Sequence, residues 1–235
     1  MKPFKTAEKR RHEFAVLCWN VQKRTLTARF QHAFAELAER FPADIWLLQE
    51  MRMDHGRIPP GFGHLHHARS CNIHRRRLCY GVATFSTLPI ETSLPYLSRV
   101  RELGVATRKS ALLTLHRLGE GRVAVLNLHV VNFVPYRLFE EELERLCQLL
   151  HRHAKVPFVV AGDFNTWSPK RQKRLAEVMA REGMRRAEPE DARQVKRVLG
   201  GPLDHVYYRS LELLEARAVA VPVSDHNPIW AKFRL

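Results

Sequence analysis

The sequence at residues 155–167, KVPFVVAGDFNTW, is the segment around which the other predicted elements are arranged. Residues 157–161 form a short apolar run with β-branched and aromatic members, which is typical of a buried strand. Asp163 and Asn165 follow directly, and Gly162 frees the backbone to turn both side chains into a cleft at the end of that strand. The same pair also makes an ordinary turn, because Asp and Asn cap free backbone groups. The segment therefore predicts a strand end that carries catalytic groups, if the rest of the chain supports it.

Length and composition indicate a single globular domain. The chain has 235 residues, of which 45% are hydrophobic, so it can bury a sizeable core. We expect a basic tail at 1–12 and one domain at 13–235, because no internal repeat or linker interrupts the sequence. No window approaches the roughly 18 consecutive apolar residues of a membrane span. The N-terminus lacks the apolar region of a secretory signal, so a cytoplasmic location and no stable membrane insertion are expected.

The net charge favours a polyanionic partner. Lys and Arg number 39 against 24 Asp and Glu, which gives +15 and speeds encounter with nucleic acid or an anionic membrane surface. The basic runs at 75–77, 99–108 and 170–174 are predicted to border the cleft, with Trp167 or Tyr136 available to stack on a base. The alternative is that these runs are only solvated faces. Nucleic acid is the partner we expect, and a monomer is the expected oligomeric state.

The four cysteines favour free thiols over a metal site or a disulfide framework. None is spaced as CxxC. Cys18 and Cys147 lie in apolar periodic segments, which suits small core residues. Cys71 and Cys79 share one loop, where oxidation would allow them to pair, but nothing in the sequence requires it.

Hydrophobic periodicity predicts alternating strands and helices. Helices are expected at 27–41 with Thr25 or Thr27 as N-cap, at 135–153, and from Ser168 as N-cap to Gly183. Strands are expected at 13–20, 44–50, 80–85, 111–116, 122–130, 157–161, 203–208, 216–223 and 228–235. A long irregular segment is predicted at residues 51–78, and a loop of that length is usually functional or mobile.

Polar residues interrupt the ends of these strands at regular places. If the strands lie side by side with their ends aligned, these side chains converge on one pocket. They are Asn20, Glu50, His129, Asp163, Asn165, Asp204, His205, Asp225, His226 and Asn227. The chain has no HExxH zinc pattern, no GxSxG nucleophile elbow and no P-loop.

Hydrolysis of a phosphate ester suits this set of groups. Mg²⁺ accepts carboxylate and amide oxygens, a role that fits Asn20, Glu50 and Asp225. In-line attack on phosphorus also needs a base for the water and donors for the phosphoryl oxygens. We assign Asp163 as the base, with Asn165 and His226 as donors. An Asp204 partner would keep the His226 ring cationic.

Seven segments occur in the order that is typical of one known family: LCWNVQ, LLQE, GVATFS, NLHVVNF, AGDFNTW, LDHVYY and SDHNPIW. On these motifs the chain resembles small bacterial members of the endonuclease/exonuclease/phosphatase superfamily, which has a deoxyribonuclease-like fold. The resemblance implies an α/β four-layer sandwich in which two facing mixed β-sheets are flanked by helices. It also implies cleavage of phosphoester bonds that depends on Mg²⁺, with Mn²⁺ as a substitute.

The resemblance implies a role for each matching residue. The residues that resemble the metal site are Asn20, Glu50 and Asp225. His129 resembles the histidine that contacts phosphate, Asp163 resembles the base, and Asn165 resembles its neighbouring donor. Asp204 and His226 resemble the carboxylate and the histidine of the catalytic pair. The chain departs from the pattern at Gln22, where many DNA-repair members have Asp. It also lacks room for long recognition loops, so abasic-site specificity is not expected. The segment WN-x-x-K, which ends at Lys23, matches small bacterial members instead.

Three functions compete on these grounds. The first is a metal-dependent nuclease or phosphodiesterase that acts on DNA or RNA. The alternative is hydrolysis of a lipid head group or a small phosphorylated metabolite, although no amphipathic membrane anchor is evident. A non-catalytic binding protein would be expected to lack one of Glu50, Asp163, Asp204 or His226, and all four are present.

Overall fold

The strands of the chain form two mixed sheets that face each other, with helices on both outer faces. This is the architecture of the computed structural model, which describes residues 13–54, 57–104 and 107–235. Within those residues each of the two sheets has six strands. The predicted four-layer α/β sandwich is therefore confirmed, whereas the predicted basic tail at 1–12 lies outside the described residues.

The first four and last two strands of the chain form one sheet, and strands between them form the other. The first sheet contains, in spatial order, β13 (Glu212–Ala218), β14 (Ile229–Arg234), β1 (Glu13–Asn20), β2 (Ile45–Asp54), β4 (Leu78–Ser86) and β3 (His66–Arg75). The second contains β5 (Ile90–Leu97), β6 (Ser110–Leu118), β7 (Gly121–His129), β8 (Phe158–Asp163), β12 (Asp204–Arg209) and β9 (Arg185–Arg186). A separate short hairpin joins β10 (Arg197–Val198) to β11 (Gly201–Pro202), and the helices are α1 (Ala28–Arg40), α2 (Tyr136–Arg152) and α3 (Pro169–Arg181).

Both faces of each central strand are buried. In β1, Val16 and Cys18 point into the core between the sheets, where they meet β-strand residues such as Val159. The alternate residues Leu17 and Trp19 pack on the other face, in the core that α1 covers. The helices α2 and α3 cover the outer face of the second sheet in the same way. Burial on two faces is why the central strands are continuous apolar runs in the sequence.

The helix ends agree with the predicted capping residues. Thr27 caps α1, because its side-chain oxygen accepts a hydrogen bond from the Phe30 amide at 3.2 Å. Ser168 caps α3 through the Arg171 amide at 3.3 Å, with Pro169 as the first helical residue. Within the described residues, no helix is long and apolar enough to cross a membrane.

The edges of the sheets differ from the sequence prediction. The prediction of an irregular segment at 51–78 is wrong, because β2 continues to Asp54 and β3 occupies His66–Arg75. The strand β5 was not predicted, and the strand expected at 216–223 lies instead at Glu212–Ala218. The strands β3, β5 and β13 are each at the edge of a sheet. An edge strand is partly solvated, so its sequence lacks the apolar pattern of a central strand.

One cysteine pair also differs from the prediction. Cys71 on β3 and Cys79 on β4 form a disulfide, with a Cα–Cα separation of 5.8 Å. The expectation of free thiols is therefore wrong for this pair, because the supposed loop is a hairpin that brings both residues together. Cys18 and Cys147 are free and buried, as predicted.

A buried polar bridge joins the two sheets. The Gln49 side-chain amide on β2 donates to the Asn127 side-chain oxygen on β7 at 2.7 Å, and the Asn127 amide donates to the Ala83 carbonyl at 2.9 Å. Each amide thus has a partner inside an apolar core, as buried polar groups require. The bridge lies beside Glu50 on β2 and close to His129 at the end of β7, where the predicted site residues begin.

Candidate active site

Strand register brings the predicted site residues to one end of the sandwich. In the first sheet β1 and β2 are parallel, and Asn20 pairs with Gln49, the neighbour of Glu50. In the second sheet β7 and β8 are parallel and end together at His129 and Asp163. The antiparallel strand β12 begins beside them, with Asp204 opposite Asp163. Parallel strands finish at the same edge, so residues distant in sequence become neighbours.

Glu50 is turned by an irregularity in its strand. The pairing of β2 with β4 shifts register between Leu48 and Met51, which is a β-bulge. Glu50 has φ of 50°, a left-handed conformation that is uncommon for a residue with a side chain. Gln49 is consequently buried in the inter-sheet bridge, while the half-buried Glu50 carboxylate lies 3.7 Å from the Lys23 ammonium. A bulge beside the site is a common way to re-aim one side chain.

Asp163 is the centre of the site. Its Oδ2 accepts a hydrogen bond from the Asn20 side-chain amide at 3.1 Å, and its Oδ1 accepts one from the Asn165 backbone amide at 3.0 Å. The ring nitrogens Nε2 of His129 and His226 lie 3.5 Å and 4.0 Å from Oδ2. The structure thus brings together four of the predicted site residues around one buried carboxylate.

Asp204 and His226 form a hydrogen-bonded pair beside it. The His226 Nδ1–H group donates to Asp204 Oδ2 at 2.7 Å, which leaves Nε2 directed at the Asp163 side. The backbone of His226 is also held, because its carbonyl accepts from the Trp19 indole at 2.9 Å and its amide donates to the Ser224 hydroxyl at 3.2 Å. The imidazole therefore has one orientation in the cleft.

Burial and neighbouring charge separate the proton affinities of these groups. Burial, together with the negative charge of Asp204, raises the pKa of Asp163 above the usual value of an aspartate. Burial alone would lower the pKa of His226, but the opposing effects of Asp204, by charge and hydrogen bond, raise it to about 9. At neutral pH the site therefore holds a carboxylate that can accept a proton beside an imidazolium that can donate one.

The oxygen atoms of the site fit a hard divalent cation. Asn20 and Glu50 lie on adjacent strands, and Asp225, on the loop before β14, has an Oδ1 that lies 4.0 Å from the His226 ring. The Oδ1 atom of Asp204 is buried and has no hydrogen-bond partner among the described residues. Ligand atoms of Asp163, Asp204 and His226 all lie within 4.8 Å of one another. An excess of closely spaced carboxylate oxygens suits Mg²⁺ or Mn²⁺ better than a thiolate-preferring metal.

The motifs and this geometry agree with a match over most of the chain. A sequence profile of the Endonuclease/Exonuclease/phosphatase family matches residues 17–226. The chain belongs to this family. Membership supports a phosphoester hydrolase and agrees with the resemblance seen in the seven sequence motifs.

The chain is also similar to individual proteins of known sequence or structure. A UPF0294 protein of Vibrio parahaemolyticus is 38% identical over 129 residues, which are 54% of this chain and 46% of that protein. The chain thus spans about half the length of the curated relatives it matches. A family member from Bacteroides vulgatus superposes with a TM-score of 0.73 at 15% identity, covering 95% of this chain and 99% of the other. An AP endonuclease of Leishmania major has a TM-score of 0.70 at 16% identity and covers 100% and 93%. Both structures share the fold.

Two residues of this family member were not identified as site residues from the sequence. Lys109 precedes β6, and its ammonium lies 2.9 Å from the His129 Nε2 atom. It was hidden because it directly follows a run of exposed cations that we read as a surface. Lys196 lies 3.1 Å from Asp225, the outermost of the predicted metal residues. The available signal for Lys109 was its position two residues before the strand predicted at 111–116.

Two arginines of the basic segment 170–174 are engaged within the fold. Arg171 is only 2% exposed, and its guanidinium packs over the rings of Trp167 and Phe139 at 4.9 Å and 4.4 Å. Arg174 forms ion pairs with Glu140 and Glu144 of α2. Both guanidinium groups therefore act within the fold, because α3 turns this face toward α2 and the loop after β7.

Proposed function

We propose that this protein is a divalent-metal-dependent phosphodiesterase that cuts DNA or RNA by in-line attack of a water molecule on phosphorus. The observation that carries the proposal is the buried Asp163 carboxylate, whose pKa is raised by burial and by Asp204, with the His226 Nε2 atom 4.0 Å from its Oδ2 atom. A base whose pKa lies near the working pH is the most effective general base. Family membership supports the broader class of phosphoester hydrolases.

Each residue has a stated part in the reaction. Asp163 accepts the proton of the attacking water while the new P–O bond forms, and Asn20 and the Asn165 amide hold that carboxylate in place. Asp204 keeps His226 protonated, so that its Nε2–H group donates to an oxygen of the phosphoryl group. The P–O bond to the leaving group breaks on the opposite side in the same step, and the departing oxygen keeps the electron pair and takes up a proton from water. Mg²⁺, or Mn²⁺ in its place, would be held by Asn20, Glu50 and Asp225 and would neutralise phosphoryl charge.

The position of two basic segments supports a nucleic acid as substrate. The exposed residues Arg75, Arg76 and Arg77 form the tip of the β3–β4 hairpin, at the same end of the first sheet as Glu50. The Asn72 side-chain amide donates to the Arg108 carbonyl, so this hairpin adjoins the segment that leads to β6. Exposed cations on this side of the site, in a chain of net charge +15, suit a phosphate backbone.

The test is hydrolysis of labelled single- and double-stranded DNA and RNA, with Mg²⁺, Mn²⁺ or EDTA. The Asp163→Asn variant should lose activity by about 10²- to 10⁴-fold, because it keeps the shape but cannot accept the proton. Asp191→Asn, which changes an exposed carboxylate by the same one atom, should retain it. Turnover by the wild type should also fall steeply with salt.

Three outcomes would correct the proposal. Cleavage that persists in EDTA would remove the metal requirement, and full activity of Asp163→Asn would remove the assigned base. If the wild type cuts no nucleic acid but hydrolyses lipid or small-molecule phosphoesters, the substrate class is wrong and the phosphoester chemistry stands.

A further inference from the structure

The Lys109 side chain lies inside the site rather than on the surface. It is only 14% exposed, and its ammonium is 2.9 Å from His129 Nε2 and 3.5 Å from Glu102 Oε2. His129 Nε2 is itself 3.5 Å from Asp163 Oδ2. A cation therefore lies two contacts away from the proposed base, next to the place where a phosphoryl group has to be bound.

The contact between Lys109 and His129 determines which of the two can donate to substrate. A lysine ammonium has donors only, so at 2.9 Å it donates and the His129 Nε2 atom accepts. Burial first, and then the charge of Lys109, lower the pKa of His129 well below its usual range, which agrees with a neutral ring. The ring proton is then on Nδ1, and Nε2 is not a donor. The positive charge on this side of the site belongs to Lys109.

Buried contacts hold the Lys109 side chain and its backbone. Glu102, in a short 3₁₀ turn, pairs with Lys109 through Oε2 and accepts the Asn132 backbone amide through Oε1 at 2.6 Å. The Lys109 amide donates to the Ser98 hydroxyl at 2.9 Å. The ammonium is thus compensated before substrate arrives, which a buried charge requires. Of its three protons, two face His129 and Glu102, and the third is left for another acceptor.

We propose that Lys109 is a catalytic residue that donates to a non-bridging oxygen of the scissile phosphate and neutralises the charge that develops there. His129 aims the ammonium as a neutral acceptor, in place of the direct phosphate contact implied by the family resemblance. The proposal deepens the function proposed above for the same site. It rests on phosphoester hydrolysis and does not depend on whether the substrate is DNA, RNA or a small phosphodiester.

The kinetic test compares Lys109→Met with Lys155→Met on the substrate that the wild type turns over, or on a p-nitrophenyl phosphodiester. Removing one preorganised donor should lower kcat by about 10²- to 10³-fold. The Lys155 variant removes the same charge from an exposed position before β8, at the opposite end of the sandwich, and should keep wild-type kinetics. The Mg²⁺ concentration for half-maximal rate should not change in either variant.

Rescue separates a catalytic from a structural role. In Lys109→Ala, added propylammonium should restore part of kcat, and propanol, which fills the same space without charge, should not. Rescue by both compounds, or by neither with a lowered melting temperature, would show that Lys109 only fills space. Wild-type kcat in Lys109→Met would overturn the proposal outright.

A binding measurement keeps this inference distinct from the proposed function. Inorganic phosphate is titrated into wild type, Lys109→Met and Lys155→Met in the presence of Mg²⁺, and binding is followed by calorimetry. Weaker phosphate binding in the Lys109 variant alone is the expected result, even if no hydrolysable substrate has been found. Equal phosphate affinity in all three proteins would overturn the assignment, whereas absence of hydrolysis by the wild type would count only against the proposed function.

Discussion

Replacing Arg171 with Met should destabilise the protein and disorder the loops that carry Asn165. The buried guanidinium donates to four backbone carbonyls. Through Nη1 it reaches Asn165 at 3.1 Å and Val131 at 3.4 Å, and through Nη2 it reaches Asn132 at 2.8 Å and Val134 at 3.1 Å. One side chain thus ties the segment after β7 to the segment after β8, which begins directly after the proposed base Asp163 and contains Asn165.

The magnitude follows from what Met keeps and what it loses. Met still packs against the rings of Phe139 and Trp167, so most of the apolar contact of Arg171 is retained. Four carbonyls lose a charged donor, while the protein no longer bears the cost of burying a guanidinium, a cost that lowers the pKa of Arg171 to about 10. We expect a net loss of about 3–5 kcal/mol. For a chain of this length that corresponds to a fall in Tm of about 10 °C.

The assay combines unfolding with turnover. Thermal and urea unfolding of Arg171→Met are compared with Lys173→Met, which removes a charge from an exposed position on the same helix. Turnover is measured well below both melting temperatures, where kcat of the Arg171 variant should still be reduced. The reason is that Asn165 has a left-handed φ of 52°, which its hydrogen-bond contacts must maintain. A Tm equal to that of Lys173→Met would refute the reasoning, since the four hydrogen bonds would then contribute nothing net.

Two further predictions concern protons and metal. Asp204→Asn should move the alkaline limb of the pH–rate profile from about 9 to about 6.5 or below. The reason is that the His226 cation is present below its pKa and is lost as pH rises through it. An alkaline limb that stays near 9 in this variant would contradict the pairing of Asp204 with His226. Glu50→Gln should raise the Mg²⁺ concentration for half-maximal rate at least about tenfold, because it keeps the shape and removes the charge. Glu39→Gln on the exposed face of α1 is the control, and equal Mg²⁺ requirements would remove Glu50 from the metal site.

The candidate site was predictable to the extent that its residues lie at strand ends. Asn20, His129 and Asp163 each end a strand that is visible as an apolar run, so their convergence followed once the strands were taken as neighbours. The Asp204–His226 pair was inferred from chemistry, and the structure gives it a distance of 2.7 Å. The catalytic roles of these residues stay predictions that the variants above test.

Local sequence determined the central strands, the helices with their Thr27 and Ser168 caps, and the order of the seven motifs. Burial on two faces and helix capping each leave a residue pattern that is visible within a few positions of the sequence. Tertiary structure alone decided the edge strands, where one side is solvated and the apolar pattern is lost. It also decided which cations face inward. Arg171 and Lys109 both belong to basic stretches of the sequence, and only packing against distant carbonyls and carboxylates distinguishes them from their solvated neighbours.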